Sequence, residues 1–215
     1  MSLINITTLR HARLWGTLGL ALCFAGCAST PQSSSRIPAN VEIQESVGFT
    51  ITEPGRVSAD ARVDYDEAQR LLQRGDTEQA IALLTALADT VPHLSAPRID
   101  LGIAHHRAGD LELAQANLLQ ALESNPQHPI ALNELGIVYR KLGRFAEARQ
   151  QYQLALAIYP GYHYARRNLG VLCDLYLADL KCALENYEAY MSSVREDAQA
   201  AVWIADIRQR MGQED

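Results

Sequence analysis

The residues able to do chemistry in this chain do not fall into a catalytic pattern. His105 and His106 are adjacent, so on a helix they point about 100° apart and cannot readily share one metal ion. His93, His128 and His163 fall near expected turns and bring no paired ligand with them. Glu112, Glu123 and Glu147 recur at positions expected on outer helix faces, where a carboxylate is usually solvated. There is no Gly-rich phosphate loop, no GxSxG and no HExxH. Cys173 and Cys182 are not spaced as a CxxC redox pair. The expectation is a chain that is not an enzyme, with no metal and no cofactor.

The elements that must position these residues are set by a repeat. Gly75, Gly109 and Gly143 lie 34 residues apart, and so do Gly102, Gly136 and Gly170. Ala80, Ala114 and Ala148 keep the same interval, as do Pro92, Pro126 and Pro160. A fixed period of this length means stacked supersecondary units. In the unit Pro129–Tyr162, Leu132, Leu135, Gly136 and Tyr139 share one face of a first helix. Gly143 allows the turn, since glycine takes a positive φ at no Cβ cost. Phe145, Ala148, Tyr152 and Ala155 line a second helix, and Pro160 ends it.

This order of a Leu-Gly pair, Tyr, Gly, Ala, Tyr, Ala and Pro resembles the tetratricopeptide repeat (TPR). Pro129–Tyr162 (repeat three) carries nearly every mark, and Ser95–His128 (repeat two) carries most, with His105 in place of an aromatic or Leu. Ala61–Leu94 (repeat one) is weaker, with Asp64 and Glu67 at apolar places, which suits a terminal unit with one wet face. Residues 163–196 form a degenerate fourth repeat, in which Ala178 replaces the turn glycine and the register slips by one residue. Residues 197–215 carry an amphipathic helix of the kind that caps such arrays. The resemblance implies an all-α fold, a right-handed superhelical α-solenoid of three to four hairpins plus this cap.

The resemblance also implies that the first helices line a concave, partner-binding surface. By repeat position this surface takes Tyr65, Gln69 and Leu72; Ile99, Ile103, His106 and Arg107; Asn133, Ile137, Arg140 and Lys141; and Tyr164, Arg167, Val171 and Asp174. Ile103, Ile137 and Val171 would form an apolar ladder with basic residues beside it, a complement to a peptide with apolar anchors and some acidic residues. The alternative is that the ladder packs on neighbouring helices and the basic residues are solvated or paired with Glu134 and Asp174. Some TPR domains hold a C-terminal carboxylate with Lys and Asn, but Ile103 and Ile137 stand at the Asn places here, leaving Arg167-Asn168 as a carboxylate candidate. Cys173 and Cys182 fall on the two helices of the fourth hairpin, so they could form a disulfide or remain two buried thiols. Tyr159, Tyr162 and Tyr164 are expected to pack between repeats.

Residues 1–26 read as an export signal, with Arg10, His11 and Arg13 ahead of a short apolar core, Leu14–Phe24. Phe24-Ala25-Gly26-Cys27 resembles a bacterial lipobox, which implies acylation of Cys27; the alternative is a secretory signal cleaved near Ala25 or Ala28. In enterobacterial lipoproteins Asp after the cysteine retains the protein in the inner membrane, so Ala28 implies the outer membrane. Residues 27–60 are rich in Ser, Pro, Thr and Glu and read as a flexible tether; about thirty such residues reach roughly 30 Å. Val47–Thr52 could form a strand only if a partner strand offered an edge. Without residues 1–26, 25 acidic residues stand against 17 basic ones, which argues against nucleic acid or anionic headgroups as partners of the folded part. The membrane would be reached through the lipid alone.

These observations lead to an outer-membrane lipoprotein facing the periplasm, acting as an adaptor for a protein or peptide partner in a cell-envelope assembly. Pilotin-like assistance to a secretin, or regulation of a cell-wall enzyme by direct contact, are the alternatives carried forward.

Overall fold

The computed structural model describes residues 40–44, 48–53, 55–194 and 196–212. The chain divides into residues 1–36 and residues 37–215, and everything described belongs to the second unit. The expected signal peptide, Cys27 and the first part of the tether lie outside the described residues. No described helix is long and apolar enough to cross a membrane.

Nine helices follow one another among the described residues: α1 (Ala59–Arg74), α2 (Thr77–Thr90), α3 (Ala96–Ala108), α4 (Leu111–Ser124), α5 (Pro129–Lys141), α6 (Phe145–Ile158), α7 (His163–Leu175), α8 (Leu180–Ser193) and α9 (Ala198–Met211). They pack as four hairpins, α1–α2, α3–α4, α5–α6 and α7–α8, and each hairpin packs on the next. The expected superhelical all-α fold is what forms. Helix α1 begins two residues before the expected repeat boundary. Ser58, in extended backbone, caps it: the Ala61 amide donates to Ser58 Oγ at 3.1 Å.

The periodic small residues set how closely the two helices of a hairpin approach. A Cβ on Gly136 would lie 2.5 Å from the Tyr152 ring; one on Gly102 would meet Leu118 and one on Gly170 would meet Tyr187 just as tightly. Large side chains of the second helices therefore seat directly on first-helix backbone. The main core runs through Leu118, Leu135, Tyr152, Leu172 and Tyr187. In the fourth hairpin the turn holds four residues, 176–179, and Ala178 takes the positive φ of 51° that glycine takes in the earlier turns. That is the extra residue the sequence register implied.

The C-terminal helix closes the row. Trp203 packs on Tyr187 with ring centroids 5.2 Å apart, Ile207 is fully buried, and Arg210 on α9 pairs with Asp174 on α7 at 2.8 Å. Tyr187 and Tyr190 are thus buried under the cap.

One expectation needs correction. The segment ahead of α1 is not wholly a free tether. Asn40–Gln44 (β1) and Gly48–Thr52 (β2) pair antiparallel, with Ile43 opposite Phe49. The chain supplies its own edge for the strand expected near Val47–Thr52. After the hairpin, Glu53 accepts hydrogen bonds from Ser95 and Asn125, at the two ends of the second repeat, and Val57 joins an apolar cluster with Ala61, Leu87 and Val91.

Candidate peptide-binding groove

The first helices stand side by side: α3 touches α5, and α5 touches α7. Polar side chains bridge them in sequence. From α1, Tyr65 OH donates to Asp100 Oδ2 on α3 at 2.6 Å, and Gln69 donates to the same oxygen and to the Tyr65 hydroxyl. From α7, Asn168 Nδ2 donates to Asn133 Oδ1 on α5 at 2.9 Å, and Asn133 Nδ2 donates to Glu134 Oε1 at 3.0 Å. Asp100, Glu134 and Asn168 occupy one repeat position at intervals of 34. Glu134 and Asn168 were named singly in the sequence, but Asp100 and the joining of all three into one row were not singled out. The row's signal was the same interval that marked the glycines.

Burial raises the pKa of both carboxylates. At Asp100 the bonds from Tyr65 and Gln69 and the nearby Arg107 charge act against that rise. At Glu134 the Asn133 amide and Arg107 do the same. The Tyr65 hydroxyl is pushed above its ordinary value, first by burial and then by Asp100. One cation, Arg107, thus works on two half-buried carboxylates from different helices.

A basic group lies at the C-terminal ends of α3 and α5. His106 is lowered by burial and then by Lys141, Arg140 and Arg107, which keeps it neutral near pH 7. Arg140 donates to Tyr176 OH at 3.3 Å, its guanidinium 5.5 Å from that ring. Arg107 and Lys141 are exposed, and among the described residues neither forms an ion pair. Ile103, Ile137 and Val171 are half-buried: each packs on the main core and keeps part of its surface open. The ladder therefore serves both the core and the groove.

Other expected groove residues are placed differently. Ile99, 4% exposed, belongs to the core and offers no groove surface, because its helix face turns toward Leu118. Asn133 is buried too and acts through the amide bonds described above. Leu72 packs with Ala68 and Leu84, and Tyr164 is exposed. Arg167 stacks over Trp203, 5.3 Å from the ring centroid. With Asp174 held by Arg210, the cap engages the fourth repeat's charges. The unpaired groove charge is concentrated on α3 and α5.

Cys173 and Cys182 are joined as a disulfide, with Cα atoms 5.8 Å apart. Asp179 caps α8 by accepting from the Cys182 amide at 3.1 Å and pairs with Arg149 at 2.6 Å. The donor atoms of Cys173, Asp179 and Cys182 lie within 4.8 Å of one another. With the sulfurs bonded to each other and the carboxylate engaged, the trio is a staple and its cap. Tyr162 is buried and stacks on Tyr159, with centroids 6.2 Å apart.

The tetratricopeptide repeat family model matches residues 65–111 and 99–163. No curated protein matches the chain. Solved structures do. A MamA fragment from Desulfovibrio magneticus RS-1 is 22% identical, with 73% of this chain and 88% of that one covered and a TM-score of 0.64. Pseudomonas aeruginosa pilF is 24% identical, covering 71% and 69%, with a TM-score of 0.65. The first TPR of Spaghetti (RPAP3), bound to the HSP90 peptide SRMEEVD, is 20% identical, covering 55% and 95%, with a TM-score of 0.52. At these identities the likeness is one of fold. The tetratricopeptide repeat match lies within residues 65–163, and the glycine seats and stacked hairpins agree that the helical body has a TPR-like superhelical all-α fold.

Proposed function

We propose that the chain is a non-catalytic adaptor that holds an extended or helical segment of a protein partner along α1, α3 and α5. TPR proteins generally mediate protein–protein contacts, and the observation that carries the reading here is the groove's exposed positive charge. Arg107 and Lys141 stand without ion pairs among the described residues, beside a half-open apolar ladder and opposite the Asp100–Glu134 row. A complementary segment would place apolar anchors on Ile103 and Ile137, acidic groups toward Arg107, Arg140 and Lys141, and a basic or amide group toward Asp100 and Glu134. The RPAP3 structure shows that such a fold can hold a peptide containing acidic residues. The Ile residues at the Asn places argue for a different set of contacts in this chain.

The envelope setting belongs to the same proposal. Cys27 would be acylated and would moor the protein to the periplasmic side of the outer membrane, with the partner drawn from an envelope assembly. Support comes from the signal-like first 26 residues, Cys27 in its lipobox-like context and Ala28 after it. Pull-down from detergent-solubilised envelopes tests the adaptor reading. A partner lost on Ile137→Asp and on Arg107→Glu with Lys141→Glu, with helicity unchanged, supports it. Undiminished capture by these variants refutes the groove. Recovery of a secretin or of a wall enzyme would identify which machine is served. Metabolic labelling with palmitate, abolished by Cys27→Ser, checks the anchor.

A further inference from the structure

The carboxylate of Glu53 lies at the turns that join successive hairpins. Its Oε2 accepts from the Ser95 backbone amide at 2.8 Å; its Oε1 accepts from Ser95 Oγ and from Asn125 Nδ2, the latter at 3.2 Å. The receiving residues are built in. Ser95 is 0% exposed and Asn125 1%. Asn125 Oδ1 is taken by the Gln127 amide at 3.2 Å, which fixes the side chain with its NH₂ free to donate. His128 Nδ1 accepts from the Ala131 amide at 3.4 Å, so the ring caps α5. Ser95 precedes α3, Asn125 ends α4 and His128 starts α5. One acidic side chain thus ties together two successive inter-repeat turns.

We propose that Ser95 and Asn125 form a carboxylate receptor whose resident ligand is Glu53, and that Glu53 and residues 55–57 are a releasable strap along one side of an apolar cleft at the N-terminal end of the array. The strap follows the edge of the stack. Gly55, at φ +133°, lies so near His93 that a Cβ there would be 2.2 Å from Nε2. Val57 then reaches a cleft of about 320 Å³, which it lines with Ala61, Tyr65, Leu87, Val91 and Leu94. Lifting the strap takes Val57 out of this cleft and uncovers apolar side chains beside the Tyr65–Asp100 bridge.

The chemistry favours a latch over a permanent lock. Among the described residues no Lys or Arg pairs with Glu53. A half-buried carboxylate held by neutral donors alone gains hydrogen bonds that little more than offset its lost hydration. Segments held this way open at a fraction of the free energy of global unfolding. The first hairpin's clusters, moreover, are separate from the main core.

The test is limited trypsinolysis of the full chain. Arg56 is exposed and is the cleavage site within the strap. Glu53→Ala is expected to speed cleavage after Arg56 at least about tenfold, Glu53→Gln less, with cleavage after Arg98 in α3 and the helical CD melt unchanged. Equal rates in wild type and Glu53→Ala would overturn the receptor. Rates at Arg56 and Arg98 rising in parallel would overturn the strap, since Glu53 and residues 55–57 would then open only with the array. Should Glu53→Ala not fold, hydrogen exchange of the wild-type chain decides. The Ser95 amide bonds to Glu53 and to no helical carbonyl, so its protection reports the latch. Exchange at Ser95 at least about a hundredfold faster than at Ala104 is expected, and parity overturns the proposal.

Discussion

The ring of Tyr152 occupies the space that a Cβ on Gly136 would need, with 2.5 Å between that Cβ and Tyr152 Cε1. Tyr152 is fully buried and has nowhere to turn. Gly136→Ala should therefore destabilise the array, although alanine is the better helix former by about 1 kcal/mol. Overpacking costs about 1–3 kcal/mol, so a net loss of up to about 2 kcal/mol is expected in urea unfolding. Pairing Gly136→Ala with Tyr152→Leu should recover most of it. A neutral or stabilising Gly136→Ala would mean that the helices do not meet at this residue.

Ala178 pays a backbone cost that its three counterparts, Gly75, Gly109 and Gly143, avoid. A non-glycine residue in the left-handed region is disfavoured by roughly 1–2 kcal/mol. The side chain is exposed, so Ala178→Gly removes that cost at little loss of contact. Part of the gain is cancelled by the larger entropy of glycine in the unfolded chain. A rise in stability of up to about 1 kcal/mol is expected by thermal or chemical denaturation, and a fall would show that the turn is shaped otherwise.

Cys173 and Cys182 close a short loop, nine residues apart in sequence. On loop entropy alone such a bond stabilises by roughly 2–3 kcal/mol. Reductant, or Cys182→Ser, should lower the unfolding midpoint by a corresponding amount. The loosening should be confined to α7, α8 and α9 when followed by hydrogen exchange, with α3–α6 protected as before. Mass spectrometry after alkylation should find no free thiol at either position in unreduced protein.

Burial lowers the His128 pKa from 6.5 to about 4, with Glu53 acting in the opposite sense. In acid the unfolded chain takes up this proton before the folded one does. Stability is then complete above about pH 6.5, falls as the pH drops toward 4, and levels off below it. The two values bound the loss at about 3 kcal/mol. His128→Asn keeps a side chain suited to capping α5 and should flatten the pH dependence of the melting temperature over that window. An unchanged slope would assign the acid sensitivity elsewhere.

Burial also raises Glu134 above its ordinary value. The folded state then holds this proton more tightly than the unfolded chain, so the contribution is most favourable in acid and declines as the pH rises through the folded value. Glu134→Gln should accordingly raise the melting temperature at pH 8 and show a smaller advantage at pH 4. It should also weaken capture of any partner that places a cation at this row.

Much of the architecture is legible in the sequence because the physics is local and repeated. Gly136, Tyr152, Gly143 and Pro160 each fix one feature of a hairpin, and their recurrence fixes the stack. The slip at Ala178 is readable for the same reason. The contacts that escaped are those between distant residues of unlike type. Glu53 meets Ser95 and Asn125 across 42 and 72 residues, and nothing in a Ser, Pro and Thr-rich stretch marks one Glu as a ligand. Arg210 meets Asp174 across 36 residues, a pairing that depends on how the cap lies on the last hairpin. In the groove, period placed Ile103, Ile137, Arg107 and Lys141 on one helix face, but could not say that Ile99 turns inward.

Helix α9 lies on α8 as each earlier first helix lies on the hairpin before it, and no second helix follows it among the described residues. Trp203 and Ile207 fill the seat where another copy of the motif would dock, and Arg210 neutralises the acid at its rim. The face of the last hairpin is therefore covered by its own chain. A neighbouring molecule could stack on that face only after α9 lets go.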